Sequence, residues 1–142
     1  MLAMGMAERK PGVHDFGLPK PRVQRSGQVL VWVKEVGLDG TYLGIVSHGW
    51  LNIAEGYNEI VLGHEKAGVV RAVGTGVTKL VAGDTVTITA WQGCGICQPC
   101  LHNRSDMCKT VLFIERGTHK KDGFLTQFVV GREQYMVKVP VG

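Results

Sequence analysis

No apolar run in this sequence approaches the roughly 18 residues that a membrane-spanning helix needs. Nor does an apolar stretch of signal-peptide length follow a charged start, since Met1 to Ala7 runs directly into Glu8 and Arg9. These two absences point to a cytoplasmic protein with no membrane partner. Sustained i, i+3, i+4, i+7 spacing is missing over any three turns, so little helix is expected beyond one turn at Thr41 to Val46. Repeats and low-complexity tracts are absent too. A strong charge of either sign is lacking: 16 lysines and arginines against 12 carboxylates leave a formal +4, too modest and dispersed to suggest nucleic acid. Cysteine is missing from most of the chain, and all four cysteines fall between positions 94 and 108. With no export signal, that clustering favours a metal over disulfides.

Glycine is what the chain has in excess: 20 of 142 residues, about twice the average usage of roughly 7%. Short β-branched runs sit between the glycines. Val29 to Val36 is the firmest strand, and similar runs follow at Ala67 to Val73, Thr85 to Thr89, Phe124 to Val130 and Tyr135 to Val139. Residues 1–28, with Pro11, Pro19 and Pro21, read as an irregular entry strand or loop. The expectation is one mainly β domain over 1–142, a barrel or sandwich.

Cys94, Cys97 and Cys100 form CxxCxxC, and Cys108 follows eight positions later. Four thiolates make a closed tetrahedral zinc site with no place for water or substrate, so the predicted role is structural. Gly93 and Gly95 let the backbone fold round the ion, and Pro99 stiffens it. The lobe is expected over about 91–112. A zinc ribbon would separate two CxxC pairs by about 15–20 residues. Bacterial ferredoxin spacing would place the fourth cysteine closer. Redox cysteines or disulfides are the remaining readings.

Gly63-His64-Glu65-Lys66-Ala67-Gly68 sets a metal-competent histidine beside a carboxylate. It is not a zincin motif, because glycine occupies the position of the second histidine. Alone, such a pair is usually an ordinary turn. Its context is more specific: GHExxGxxxxxGxxV, then Gly83-Asp84-Thr85-Val86, then the cysteine cluster. That order resembles the zinc-containing medium-chain dehydrogenases. The segments Glu115 to Phe124 and Gln134 to Pro140 most resemble the glucose (aldose) dehydrogenases among them, and the match runs over roughly 25–140.

The resemblance implies a GroES-like β-barrel with the cysteine lobe as its structural zinc site. It also implies a catalytic zinc. Family members usually place a cysteine after the first long strand, in GxCGTD, where this chain has Gly37-Leu38-Asp39-Gly40-Thr41-Tyr42. Asp39 would then be the first ligand, an oxygen donor of harder character than a thiolate. His64 would be the second, and Glu65 a third ligand or a carboxylate just behind the others. Thr41 matches a threonine that touches the substrate hydroxyl, and Glu115 a carboxylate that binds sugar hydroxyls. The implied activity is zinc- and NAD(P)-dependent oxidation of a sugar, polyol or alcohol. Tyr42 stands where the family usually has Asp, and Ala90 where the sugar enzymes place Asn, so glucose itself is left open.

A dinucleotide site needs strand, GxGxxG and helix, and the sequence offers only Gly74-Thr75-Gly76 in a turn. The nucleotide-binding domain is therefore expected outside this chain, with an apolar patch left where it would dock, and an oligomer is possible. The alternative is a stand-alone zinc-stapled β-module with a binding or structural role. Arg104, Lys109, Arg116, Lys120 and Lys121 read as a solvated surface rather than an anion or nucleic-acid site. Trp32 is expected inside the barrel, and Trp50 and Trp91 are expected to pack. His14, His48, His102 and His119 have no ligand spacing.

Overall fold

The computed structural model describes residues 1–49, 52–110 and 112–140. Trp50, Leu51, Val111, Val141 and Gly142 lie outside them, and with Trp50 the packing expected of it. In chain order the strands are β1 (Leu2–Ala7), β2 (Lys10–Gly17), β3 (Gln28–Gly37), β4 (Glu59–Val61), β5 (Glu65–Val73) and β6 (Thr85–Ile88). They continue with β7 (Trp91–Gln92), β8 (Ile114–Arg116), β9 (Lys120–Lys121), β10 (Phe128–Arg132) and β11 (Met136–Lys138), and the helices are α1 (Gly40–His48) and α2 (Gln98–Leu101). The mainly β expectation holds.

The strands form three sheets, ordered β2-β1-β4, β10-β3-β5-β6-β11 and β7-β8-β9, rather than one closed cylinder. β3 forms because its valines alternate: Val29 and Val31 are fully buried, against Val73 and Val70 of antiparallel β5 and Gly131 and Val129 of β10. Val29, Val31, Val70 and Val129 join Val86, Ile88, Leu80 and Phe124 in the larger core. A smaller core of Met6, Tyr42, Ile45 and Leu62 lies under α1.

Several expectations are corrected. The first residues are not irregular, because β1 and β2 form an antiparallel hairpin. Their alternation is hidden: Ala3 is buried while Leu2 and Met4 face outward, and Gly5 lies against the Ile60 carbonyl and the Phe16 ring, where a side chain would clash. The predicted helical turn is a nine-residue helix, capped by Asp39 at its start and by Gly49 (φ 67°) at its end. The strand placed at Phe124 begins at Phe128, since the backbone of Gly123 to Leu125 bonds to Val61 to Gly63 instead of to β3. Likewise Glu133–Tyr135 is a single 3-10 turn ahead of β11. Trp32 is only half-buried, on the outer face of the sheet, with Lys34 Nζ 3.8 Å and Arg71 Cζ 4.4 Å from its ring.

Arg116, expected on a solvated surface, is 4% exposed. Its guanidinium donates to the Asp122 and Val130 carbonyls and sits over the Phe124 ring. Exposed large apolar side chains include Leu38, Leu43 and Val46 around α1, and others such as Val81 and Ile96 elsewhere. No described helix is long and apolar enough to cross a membrane.

Candidate metal centres

Gly95 (φ 76°) turns the chain after Cys94, so that the Ile96 and Cys97 N–H groups point at the Cys94 sulfur, 3.5 and 3.4 Å away. Cys100 rides on α2, whose second residue is Pro99, and Cys108 closes the 3-10 turn Ser105–Met107. Gly93 is required here, because a Cβ there would meet the Cys100 sulfur at 2.5 Å. The Trp91 indole donates to the Ser105 carbonyl at 2.6 Å and stacks on Phe113, which stacks on His119. Trp91 packs as expected, and this ring column ties the lobe to β8.

The four ligand sulfurs lie within 4.8 Å of one another, with Cys94 to Cys100 and Cys97 to Cys108 both at 3.9 Å. Sulfurs bound at 2.3 Å to one tetrahedral ion stand about 3.8 Å apart, so the cage fits zinc. The thiols divide charge unequally among themselves. The Thr110 hydroxyl and the Ile96 N–H bring Cys94 down to about 6. Cys100, despite the Gly95 N–H, is pushed up to about 12 by burial and its sulfur neighbours. A dication at the centre would favour the thiolate of all four.

The second cluster is assembled by strand pairing. β3 and β5 set Gly37 opposite Glu65, and a Cβ on Gly37 would strike the Glu65 carboxylate. Two residues on, Asp39 caps α1: Oδ1 accepts from the Thr41 N–H at 3.0 Å, and Oδ2 from the Thr41 hydroxyl at 3.0 Å. His64 follows Gly63, whose φ of 98° lets the chain leave β4 and re-enter the sheet as β5. His64 Nε2 lies 3.5 Å from Asp39 Oδ2. The ligand atoms of Asp39, His64 and Glu65 all fall within 4.8 Å of one another. Donors bound at 2.0–2.1 Å stand about 3.4 Å apart on a tetrahedron, so these three fit a divalent ion and leave a position open. Although slight burial opposes it, the Thr41 contacts, with His64, hold Asp39 below the usual carboxylate range.

An open cavity of about 480 Å³ runs along Gly37, His64, Glu65 and Thr87. A larger one, about 640 Å³, lies between the β1–β2 turn and residues 52–57 and touches none of the cluster, so chemistry rather than size singles out the smaller. Glu115 is on β8, paired with Trp91 and Lys120, and among the described residues no bond joins it to Asp39, His64 or Glu65. Tyr42 is the participant that the sequence reading noted only as a departure. Its hydroxyl is 2.9 Å from His64 Nδ1, and burial pushes it up to about 12, which keeps it a neutral phenol.

Comparison with known families shows which one the chain belongs to. The model of the alcohol dehydrogenase GroES-like domain matches residues 25–141. The chain belongs to this family. It is 34% identical over 132 residues to a probable D-xylulose reductase A of Neosartorya fischeri, covering 91% of this chain and 36% of that protein. Against glucose 1-dehydrogenase 2 of Saccharolobus solfataricus the identity is 33% over 144 residues, covering 99% and 38%. A Haloferax mediterranei glucose dehydrogenase, solved in complex with NADP, Zn and gluconolactone, superposes with a TM-score of 0.89 at 30% identity, covering 99% of this chain and 39% of that one. This GroES-like domain thus spans less than two-fifths of the length of these relatives.

Proposed function

We propose that this chain is the catalytic domain of a cytoplasmic, zinc- and NAD(P)-dependent dehydrogenase that oxidises a sugar or polyol hydroxyl. The observation that carries the reading is the convergence of Asp39, His64 and Glu65, from two separate strand ends, beside one cavity. A stand-alone structural module has no use for that cluster. Residues about 91–112, through Cys94, Cys97, Cys100 and Cys108, hold a structural zinc that braces β7 and β8. Asp39, His64 and Glu65 hold the catalytic zinc, which supplies a Lewis acid for the substrate hydroxyl. NAD or NADP is bound by residues beyond these 142, in a domain that covers the exposed apolar side chains around α1.

The chain's own groups then have defined tasks. Asp39 and Glu65 offset the charge of the ion, and the start of α1 holds Asp39 Oδ2 3.5 Å from His64 Nε2. The Thr41 hydroxyl, now donating to Asp39 Oδ2, stands beside the ligand and is the group assigned to the substrate hydroxyl. Glu115 is assigned to more distant sugar hydroxyls. Zinc stoichiometry by elemental analysis tests the reading, with Asp39→Ala and Cys97→Ser compared to the parent chain. Two zincs per chain, falling to one in each variant, are expected. One zinc, lost only with Cys97, would overturn the catalytic site and leave a structural fragment.

A further inference from the structure

Tyr42 reaches His64 from the third residue of α1, three positions after the capping Asp39. One helix start therefore supplies one member of the cluster and grips the next. The Tyr42 ring is 7% exposed and packs with Met6, Ile45 and Leu62, so its hydroxyl is held where it is. That hydroxyl lies 2.9 Å from His64 Nδ1, and the two rings stack with centroids 5.1 Å apart at 22°. On the far side of the imidazole, Nε2 faces Asp39 Oδ2 at 3.5 Å. The hydrogen bond at Nδ1 fixes the imidazole with Nε2 turned to Asp39, and without it the ring would be free to turn about its Cβ–Cγ bond.

We propose that Tyr42 is the positioning residue of the Asp39–His64–Glu65 cluster, its hydroxyl serving either tautomer of His64 in turn. With the imidazole proton on Nε2, directed at Asp39, the phenol donates to Nδ1. With Nε2 turned to a cation, the proton sits on Nδ1 and the phenol accepts it. A carboxylate at this place only accepts, so it would enforce one tautomer and add a third negative charge beside Asp39 and Glu65. The phenol adds no charge. Both states carry the same number of protons, so cation entry requires a hydroxyl rotation and a tautomer shift within the Tyr42–His64 pair, with no proton released from it. Partners behind a metal-bound histidine commonly change metal affinity 10–100-fold.

The proposal rests on the reading of this cluster as a divalent-cation site, and the test separates the two. The cysteine lobe is first filled with zinc, and cobalt(II) is then titrated into the parent chain, Tyr42→Phe and Asp39→Ala, with visible absorption as the readout. Tyr42→Phe is expected to bind cobalt about 10–100-fold more weakly while keeping its lobe zinc and its circular dichroism. If the parent takes up no cobalt beyond the lobe, the cluster reading and this proposal both fall. If the parent binds and Tyr42→Phe binds within about twofold of it, this proposal alone falls. A measurement on the unsubstituted chain covers the case in which the variant misfolds. Long-range ¹H–¹⁵N spectra should show the Nε2–H tautomer of His64 without metal and the Nδ1–H tautomer with it. An unbiased tautomer mixture in both states would refute the positioning role.

Discussion

Lys66 is 5% exposed, and its ammonium has as its hydrogen-bond partner the Val86 carbonyl, at 3.2 Å. Among the described residues no carboxylate lies within ion-pair distance of it. Burial, with the Arg116 guanidinium adding repulsion, lowers it from 10.5 to about 7. A fall of about 3.5 units corresponds to about 5 kcal/mol at about 1.4 kcal/mol per unit. Between pH 7 and 10.5 the unfolded chain holds a proton that the native chain has shed, so this lysine makes stability rise with pH across that window. Below pH 7 the lysine is charged in both states and the full penalty is present. Replacing it by methionine, of similar length, removes the penalty and also a hydrogen bond worth about 0.5–1.5 kcal/mol. Lys66→Met should therefore be several kcal/mol more stable than the parent at pH 6.5. Its advantage should shrink by about 1.4 kcal/mol per pH unit above 7 and vanish near pH 10. Urea unfolding followed by circular dichroism, in zinc-buffered solution at pH 6.5, 8 and 9.5, measures that difference. Cysteine titration in the unfolded chain is common to both proteins and cancels. A difference that stays constant across the three pH values would refute the reasoning.

Phe124 is fully buried in the larger core and carries Arg116 over its ring. Phe124→Ala should cost about 3–5 kcal/mol of unfolding free energy, and a loss under about 1 kcal/mol would show that the core collapses round the site. Glu133 accepts from the Thr78, Lys79 and Leu80 N–H groups, and these bonds, that of Lys79 foremost, lower its carboxyl. Its stabilisation is present above the ordinary carboxylate range and disappears as pH falls through the depressed native value. Glu133→Gln should thus be less stable than the parent at pH 7 and indistinguishable from it at the acid end of a pH series, as read from denaturation midpoints.

The cysteine lobe was legible because its ligands are neighbours in sequence: CxxCxxC and a fourth cysteine declare a cage through local spacing alone, and the sulfurs are found where that spacing requires. β3 and β5 were legible because β-branched alternation is also local. The β1–β2 hairpin was not, since two of the three buried residues of β1 are Ala3 and Gly5, and small side chains give no hydrophobic signal even where close approach demands them. Arg116 was misread for a related reason. A guanidinium is assigned to solvent by type, and only the carbonyls of Asp122 and Val130, with the face of Phe124, made its burial tolerable.

Sequence by itself determined the family, the mainly β character and the four-sulfur cage. The second cluster was legible only through the resemblance, and its convergence in space was decided by the fold. Asp39 and His64 are 25 positions apart, and no periodicity links them. They meet because β3 pairs with β5 in a register that sets Gly37 against Glu65. Tyr42 joins them because the Asp39 cap fixes where α1 begins and hence which way its third residue faces. Strand pairing and helix packing are non-local: their energy comes from surfaces brought together only once the chain has folded.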